Sequence, residues 1–294
     1  FADLTASVDS FGAWHAALDA NQPLSADGRA AVRVNAYYED LANHRDRFDG
    51  ERWGVNPTIA FEFAGGNKVE LAYEHVADDR IVDRGIPSRG GAPLPGYRDA
   101  FFGDADANRT NFNGDVVRLH SNHELTSALT LSTNLLYGDY DKGYSNVFAS
   151  SAVRDVAGRA VVDVQAYRDL SARENWIAQA NLAWRGSTGA VDHVLLIGAE
   201  YSDQNSRSER INGFFGTSGI SANRTRTVAL ADPFVTPAVS FIPGAAANGN
   251  RAATSQLDQI SLYAQEQLSF GDAIDVIAGL RYDRFALTVG NAFA

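Results

Sequence analysis

Residues 53–63, WGVNPTIAFEF, put Trp53, Val55, Pro57, Ile59, Phe61 and Phe63 on one side of an extended chain, and Gly54, Asn56, Thr58, Ala60 and Glu62 on the other. Successive strand side chains point to opposite faces, so the segment reads as a strand with one greasy side and one small, polar side. The pattern returns three times. Leu129, Leu131, Thr133, Leu135 and Tyr137 oppose Thr130, Ser132 and Asn134. Trp176, Ala178, Ala180, Leu182 and Trp184 oppose Gln179, Asn181 and Arg185. Ile274, Val276, Ala278, Leu280 and Tyr282 oppose Asp275, Gly279, Arg281 and Asp283. Helical spacing fits none of the four, and the fold class is all-β.

Carried along the chain, the alternation gives about eleven strands, near 2–9, 11–21, 29–41, 52–63, 67–79, 113–125, 128–140, 174–185, 190–203, 256–268 and 272–288. Their connections fall into two populations. AGGN after Phe63, TS after Leu125, GSTG after Arg185 and GD after Phe270 are short; 80–112, 141–173 and 204–255 are long, and 42–51 is modest. From the third strand onward short and long alternate. In an antiparallel up-and-down meander every second turn lies at the same end, so one end is tight and the other elaborated. Short periplasmic turns and long extracellular loops give transmembrane β-barrels this layout. Aromatic residues bracket the greasy faces, Trp53 with Phe63 and Trp176 with Trp184, as interfacial girdles do. A soluble β-sandwich is the alternative, but its strands run shorter and its loops are not confined to one end. The longest apolar run, VLLIGA at 194–199, is far below the roughly 20 residues of a spanning helix. An odd strand count and two unpaired edges predict a segment of a larger barrel, as does an opening at Phe1 without methionine.

Chemistry is sparse. A net charge of −11 argues against nucleic acid as a partner, and the lack of cysteine excludes disulfides and thiolate metal sites. No nucleophile elbow, phosphate loop or dinucleotide fingerprint is present. His120 and His123 stand three apart, which in a strand places them on opposite faces. DADANRTNFNGD, from Asp104 to Asp115, has the first alternate positions of a calcium loop but Arg109 where Gly belongs and Asp115 where Glu belongs. It reads as an Asx-rich turn. Asp78-Asp79 has no partner that would make a catalytic constellation. Residues 80–112 depart from the acidic background, combining Arg80, Arg84, Arg89, Arg98 and Arg109 with Tyr97, Phe101 and Phe102. Guanidinium groups pair with anionic oxygens, and aromatic rings stack on flat groups or cations. Such a loop suits a polyanionic, aromatic ligand, or equally the phosphates of neighbouring lipopolysaccharide.

RVNAYYEDLANHRDRFDGERWGVNPTIAFEF, VELAYEHVADDRIVDRGIPS, FFGDADAN, HVLLIGAEYSDQNS and SLYAQEQLSF…IAGLRYDRF, in that order, resemble the barrel of TonB-dependent outer-membrane siderophore receptors. The likeness spans essentially the whole chain and is thinnest over 141–173 and 204–255; DRGIPS followed by FFGD is its best marker. It implies an about 22-stranded barrel closed by an N-terminal plug. Residues 1–294 would then be one barrel segment, roughly the first half, without the plug, the energy-coupling box or the C-terminal strands.

The resemblance further implies a monomer in the bacterial outer membrane, in contact with lipids and lipopolysaccharide. It implies a receptor and not an enzyme, with no cofactor and iron present only inside a bound ferric siderophore. Release inward would be driven by an inner-membrane energy-coupling complex acting on the absent N-terminal box. Arginine and aromatic side chains of outer loops bind ligand in such receptors, which nominates Arg84, Arg89, Tyr97, Arg98, Phe101 and Phe102. A passive porin, and a receptor of the same family for haem, cobalamin or a glycan, are the alternatives.

Overall fold

The computed structural model describes residues 1–216, 224–231, 238–244 and 249–291. Its strands are β1 (Ala2–Val8), β2 (Trp14–Pro23), β3 (Ala30–Leu41), β4 (Gly50–Glu62), β5 (Lys68–Ile81), β6 (Ser88–Arg89), β7 (Ala92–Pro93), β8 (Arg109–Thr126), β9 (Leu129–Ala149), β10 (Arg154–Val156), β11 (Arg159–Thr188), β12 (Val191–Phe215), β13 (Arg226–Ala229), β14 (Val239–Phe241), β15 (Arg251–Phe270) and β16 (Ile274–Asn291). Eleven of them form one antiparallel path in chain order, β1-β2-β3-β4-β5-β8-β9-β11-β12-β15-β16. That is the up-and-down meander expected from the alternation, with the expected number of strands. β10 and β13 add to β11, β14 adds to β12, and β6 and β7 make a separate small hairpin. Among the described residues β1 and β16 each pair on one side only.

Residues directly opposite in an antiparallel pair share a face, so the register assigns each side chain to one side of the wall. Tyr38 pairs with Trp53, Tyr137 with Trp176, and Ala178 with Tyr201. The rings among them make one aromatic row on the greasy face. Within it Trp14 stacks on Tyr38 at 4.9 Å, Trp53 lies 4.7 Å from His75, and Tyr137 lies 4.5 Å from Trp176. A second row near the short turns holds Phe61 with Phe63 and Trp184 with His193. Between the rows the exposed side chains include Leu71, Leu135, Ile197, Leu262 and Leu280.

The opposite face is polar and cross-linked from strand to strand. His120 Nδ1 meets Asn134 Oδ1 at 2.7 Å, Asn134 Nδ2 donates to Gln179 at 3.0 Å, and Gln179 donates to Glu200 at 3.4 Å. Arg281 donates to the other oxygen of Glu200 at 3.2 Å. Glycines on this face lie under rings from the next strand. A Cβ on Gly54 would meet the Tyr37 ring at 2.6 Å, and one on Gly198 would meet the Tyr263 ring at 2.2 Å. A bare backbone at these positions lets the ring from the next strand lie directly against it.

The strands reach much farther than the alternation predicts. The connection expected over 141–173 is mostly strand, since β9 runs to Ala149 and β11 starts at Arg159, and strands also enter the ends of 80–112 and 204–255, where β8 begins at Arg109 and β12 ends at Phe215. The rest of 204–255 lies partly outside the described residues. With 30 residues in β11, the strand extends about 100 Å, against an apolar band of about 25 Å. Beyond the upper aromatic row Asp139 pairs with Glu174 and Asp203 with Asp258 on the formerly greasy face. Both faces there are polar, so the period-two contrast that marks a strand disappears.

Buried hydrophobic residues also collect beyond the wall. Val147, Val162, Val164, Ala166, Phe215 and Val228 form one core cluster, and Leu94, Phe102, Val153 and Leu230 form a second. The wall buries little because its apolar side is a surface. The elaborated end has loops and strand extensions to pack against each other.

Candidate functional site

The site is built where the connection 82–108 leaves β5 and folds across the extensions of β9 and β11. Tyr144, Asn146 and Phe148 lie two apart on the polar face of β9, and Tyr167 of β11 pairs with Asn146. Arg84 reaches onto this patch. Its Nη1 donates to the Tyr167 hydroxyl at 2.8 Å and to the Tyr144 hydroxyl at 3.3 Å, and its guanidinium lies 4.9 Å from the centre of the Phe148 ring. Tyr167 is in turn edge-on to Phe148 at 5.7 Å and carries the Arg210 guanidinium over its ring at 4.3 Å. Beneath Arg84, Asn146 is fully buried, with its amide nitrogen on the Tyr167 carbonyl at 3.2 Å and its side-chain oxygen unpartnered.

Charge pairing separates Arg84 from its neighbours. Arg80 pairs with Asp78 at 3.4 Å, Arg89 with Asp155 at 3.4 Å, Arg98 with Asp99 at 4.0 Å and Arg109 with Asp79 at 3.2 Å. Arg210 is matched by Asp169 through two hydrogen bonds. Among the described residues Arg84 has phenol oxygens and a ring but no carboxylate within ion-pair reach. The hydrogen bond to the Tyr144 hydroxyl first, and that to Tyr167 after it, raise the pKa of the guanidinium above its ordinary value, with burial acting the other way. Arg84 is therefore a permanent, aromatic-cradled cation whose countercharge is not supplied locally.

The other nominated residues divide. Arg89 bridges to the β9–β11 connection through Asp155. Tyr97 packs half-buried on Phe102, with ring centres 5.8 Å apart. Arg98 is open to solvent, with 81% of its side chain exposed, and its carbonyl accepts from Arg45. Phe101 and Phe102 correct the sequence expectation. They are 0% and 1% exposed, so they are core of the loop and not contacts on its surface. Two aromatic rings in sequence can leave water only by packing under the loop, and Phe102 does so against Leu94, Val153 and Leu230. Asp104 caps a turn, its carboxylate accepting from the backbone N–H of Asp106 and Ala107 at 3.0 and 3.2 Å, the role expected of an Asx-rich segment.

Sequence reasoning missed Tyr144, Phe148, Tyr167 and Arg210, which fall in stretches expected to be loop. A signal existed. Tyr140, Tyr144, Asn146 and Phe148 keep the even parity of the polar face established by Thr130 through Asn134.

The family model described as TonB dependent receptor-like, beta-barrel matches residues 33–293. The chain belongs to this TonB-dependent receptor-like β-barrel family. Its members are outer-membrane receptors and not enzymes, so the greasy face of this TonB-dependent barrel is its lipid face and the polar face is its interior.

Among curated relatives, the metal-pseudopaline receptor CntO of Pseudomonas aeruginosa is 26% identical over 292 residues, covering 97% of the chain and 38% of the relative. The catecholate siderophore receptor Fiu of Escherichia coli K12 is 24% identical over 324 residues, covering 99% and 39%. The chain thus spans about two fifths of the length of the curated relatives it matches. In solved structures the barrel fold matches the open form of the ferric-catecholate import receptor Fiu of Escherichia coli K12 with a TM-score of 0.75 at 22% identity, covering 98% of the chain and 45% of that one. It also matches the Pseudomonas aeruginosa outer-membrane ferripyoverdine receptor with a TM-score of 0.78 at 11% identity, covering 98% and 37%.

Proposed function

We propose that this barrel segment belongs to an outer-membrane receptor for energy-coupled uptake of ferric siderophores, and that Arg84 meets the ligand at its outer mouth. The observation that carries the proposal is the unmatched charge of Arg84, set in a cradle of Tyr144, Tyr167 and Phe148 on the inner face beyond the lipid band. A ferric complex with oxygen chelators such as catecholates is anionic and presents flat rings. A fixed guanidinium beside aromatic faces complements both properties. Names of relatives support the same class, since they are receptors for catecholate siderophores and for a metal-pseudopaline complex. Iron enters as cargo within the ligand. Arg89, Tyr97 and Arg98 surround the entry and are assigned outer contacts, while Phe101 and Phe102 hold the loop in shape. Energy would come from an inner-membrane complex acting on the N-terminal part of the full receptor.

The test is uptake of labelled iron by iron-starved cells, with and without the parent gene, when iron is presented with catecholate, hydroxamate and mixed chelators. Gene-dependent uptake with at least one chelator is expected. Gene-dependent uptake of haem or cobalamin alone would contradict the proposal.

A further inference from the structure

We propose that Asn108 is the positioning residue that places Arg84 over its aromatic cradle. The proposal rests on Arg84 being the ligand-facing charge. Asn108 is 0% exposed and uses its whole side-chain amide. Nδ2 donates to the Val82 carbonyl at 2.9 Å and to the Val147 carbonyl at 3.0 Å. Oδ1 accepts from the Val147 N–H at 2.7 Å and the Asp104 N–H at 3.3 Å.

The β8–β9 ladder ends at Arg109 opposite Ser145. Asn108 both gives to and takes from Val147, so its side chain stands in for one further backbone rung. The same amide grips three places. Val82 lies two residues before Arg84, Asp104 lies at the far end of the loop, and Val147 lies between Asn146 and Phe148 in the cradle strand. Backbone bonds reinforce the closure, with Val82 N on Asn108 O at 3.0 Å and Asn108 N on Asp104 O at 2.7 Å. Gly103 presses against the group from outside; a Cβ there would come within 2.7 Å of both Asn108 Nδ2 and the Val147 carbonyl. One side chain thus fixes the root of Arg84 relative to Phe148. Without that anchor the backbone that carries Arg84 could shift, and its guanidinium would lose its register with Tyr144, Tyr167 and Phe148.

The experiment uses the full-length receptor with Asn108→Ala and Asn108→Asp, each with Arg84 kept and with Arg84→Ala. Binding of iron(III) 2,3-dihydroxybenzoate is measured by fluorescence titration, and amide exchange by mass spectrometry. With Arg84 present, Asn108→Ala is expected to weaken the probe about tenfold. In the Arg84→Ala background it is expected to weaken it less than twofold, because the two residues act as a unit. Asn108→Asp keeps the acceptor but sets a buried carboxylate oxygen against the Val82 and Val147 carbonyls, and should weaken the probe at least as much as Asn108→Ala. Exchange over 82–90 should quicken at least tenfold while 129–137 stays as it was. Equal losses of affinity in both backgrounds would overturn the proposal, and so would unchanged exchange over 82–90. A receptor that ignores the probe even when unsubstituted would exclude this catecholate as its ligand and leave the siderophore proposal to the uptake test, and the exchange result would then decide the role of Asn108 alone.

Discussion

At Arg84 the guanidinium meets two phenol oxygens and one aromatic face, and no carboxylate among the described residues, inside a chain of net charge −11. Tyr167 is the nearer phenol and also the ring under Arg210. Replacing Tyr167 with Phe removes one hydrogen bond to a cation and keeps the ring. It should cost about 1.5 kcal/mol of ligand affinity, near tenfold, measured by titration of the full receptor. A second residue-scale test concerns pH. Asp163 lies on the extension of β11, where Arg154 holds it at 2.6 Å and Thr227 at 2.7 Å. The hydrogen bond from Arg154, then that from Thr227, lower its pKa below the ordinary value, against the opposing effect of burial. The folded value is the depressed one. Its contribution is therefore fully present above the ordinary carboxylate range and is lost as pH falls through the folded value. Amide protection of 150–158 and 224–231 should stay level from about pH 8 to 5 and drop on further acidification, and Asp163→Asn should remove that drop.

Connection 82–108 behaves as an element with its own core. Phe102 is fully enclosed by Leu94, Val153 and Leu230, residues of three different connections. Phe102→Ala should remove about 3 to 5 kcal/mol from that packing. The loss is local, since the wall strands meet the cluster through Ala160 at the outer start of β11, far from the lipid band. Limited proteolysis should cut within 82–108 while the barrel core stays intact; loss of the whole barrel would contradict this separation. The same division explains what was legible beforehand. Strand order, face assignment and the tight turns followed from Trp53–Phe63 and its three counterparts because lipid on one side enforces a strict alternation. Above the aromatic rows that enforcement stops, and Asp139, Glu174, Asp203 and Asp258 stand where apolar residues stood below. Tyr144 and Tyr167 were consequently hidden in apparent loops. Phe101 and Phe102 looked like contacts because composition names residue types and not which way they pack.

The whole molecule is a two-sided wall with a packed outer end. All four tryptophans, Trp14, Trp53, Trp176 and Trp184, lie on the lipid face. In the reconstituted full receptor, lipids brominated near the headgroup should quench a component of emission that Trp176→Phe removes. A component insensitive to lipid would place Trp176 away from the bilayer. The proposed function places ligand contact on the other face and on one charge held above it. The most direct measurement is a titration of the full-length receptor and its Arg84→Ala variant with ferric siderophores at fixed ionic strength. A loss of tenfold or more in affinity, about 1.4 kcal/mol or greater, is expected for Arg84→Ala. Equal affinity of receptor and variant would contradict the assignment of Arg84 to the ligand.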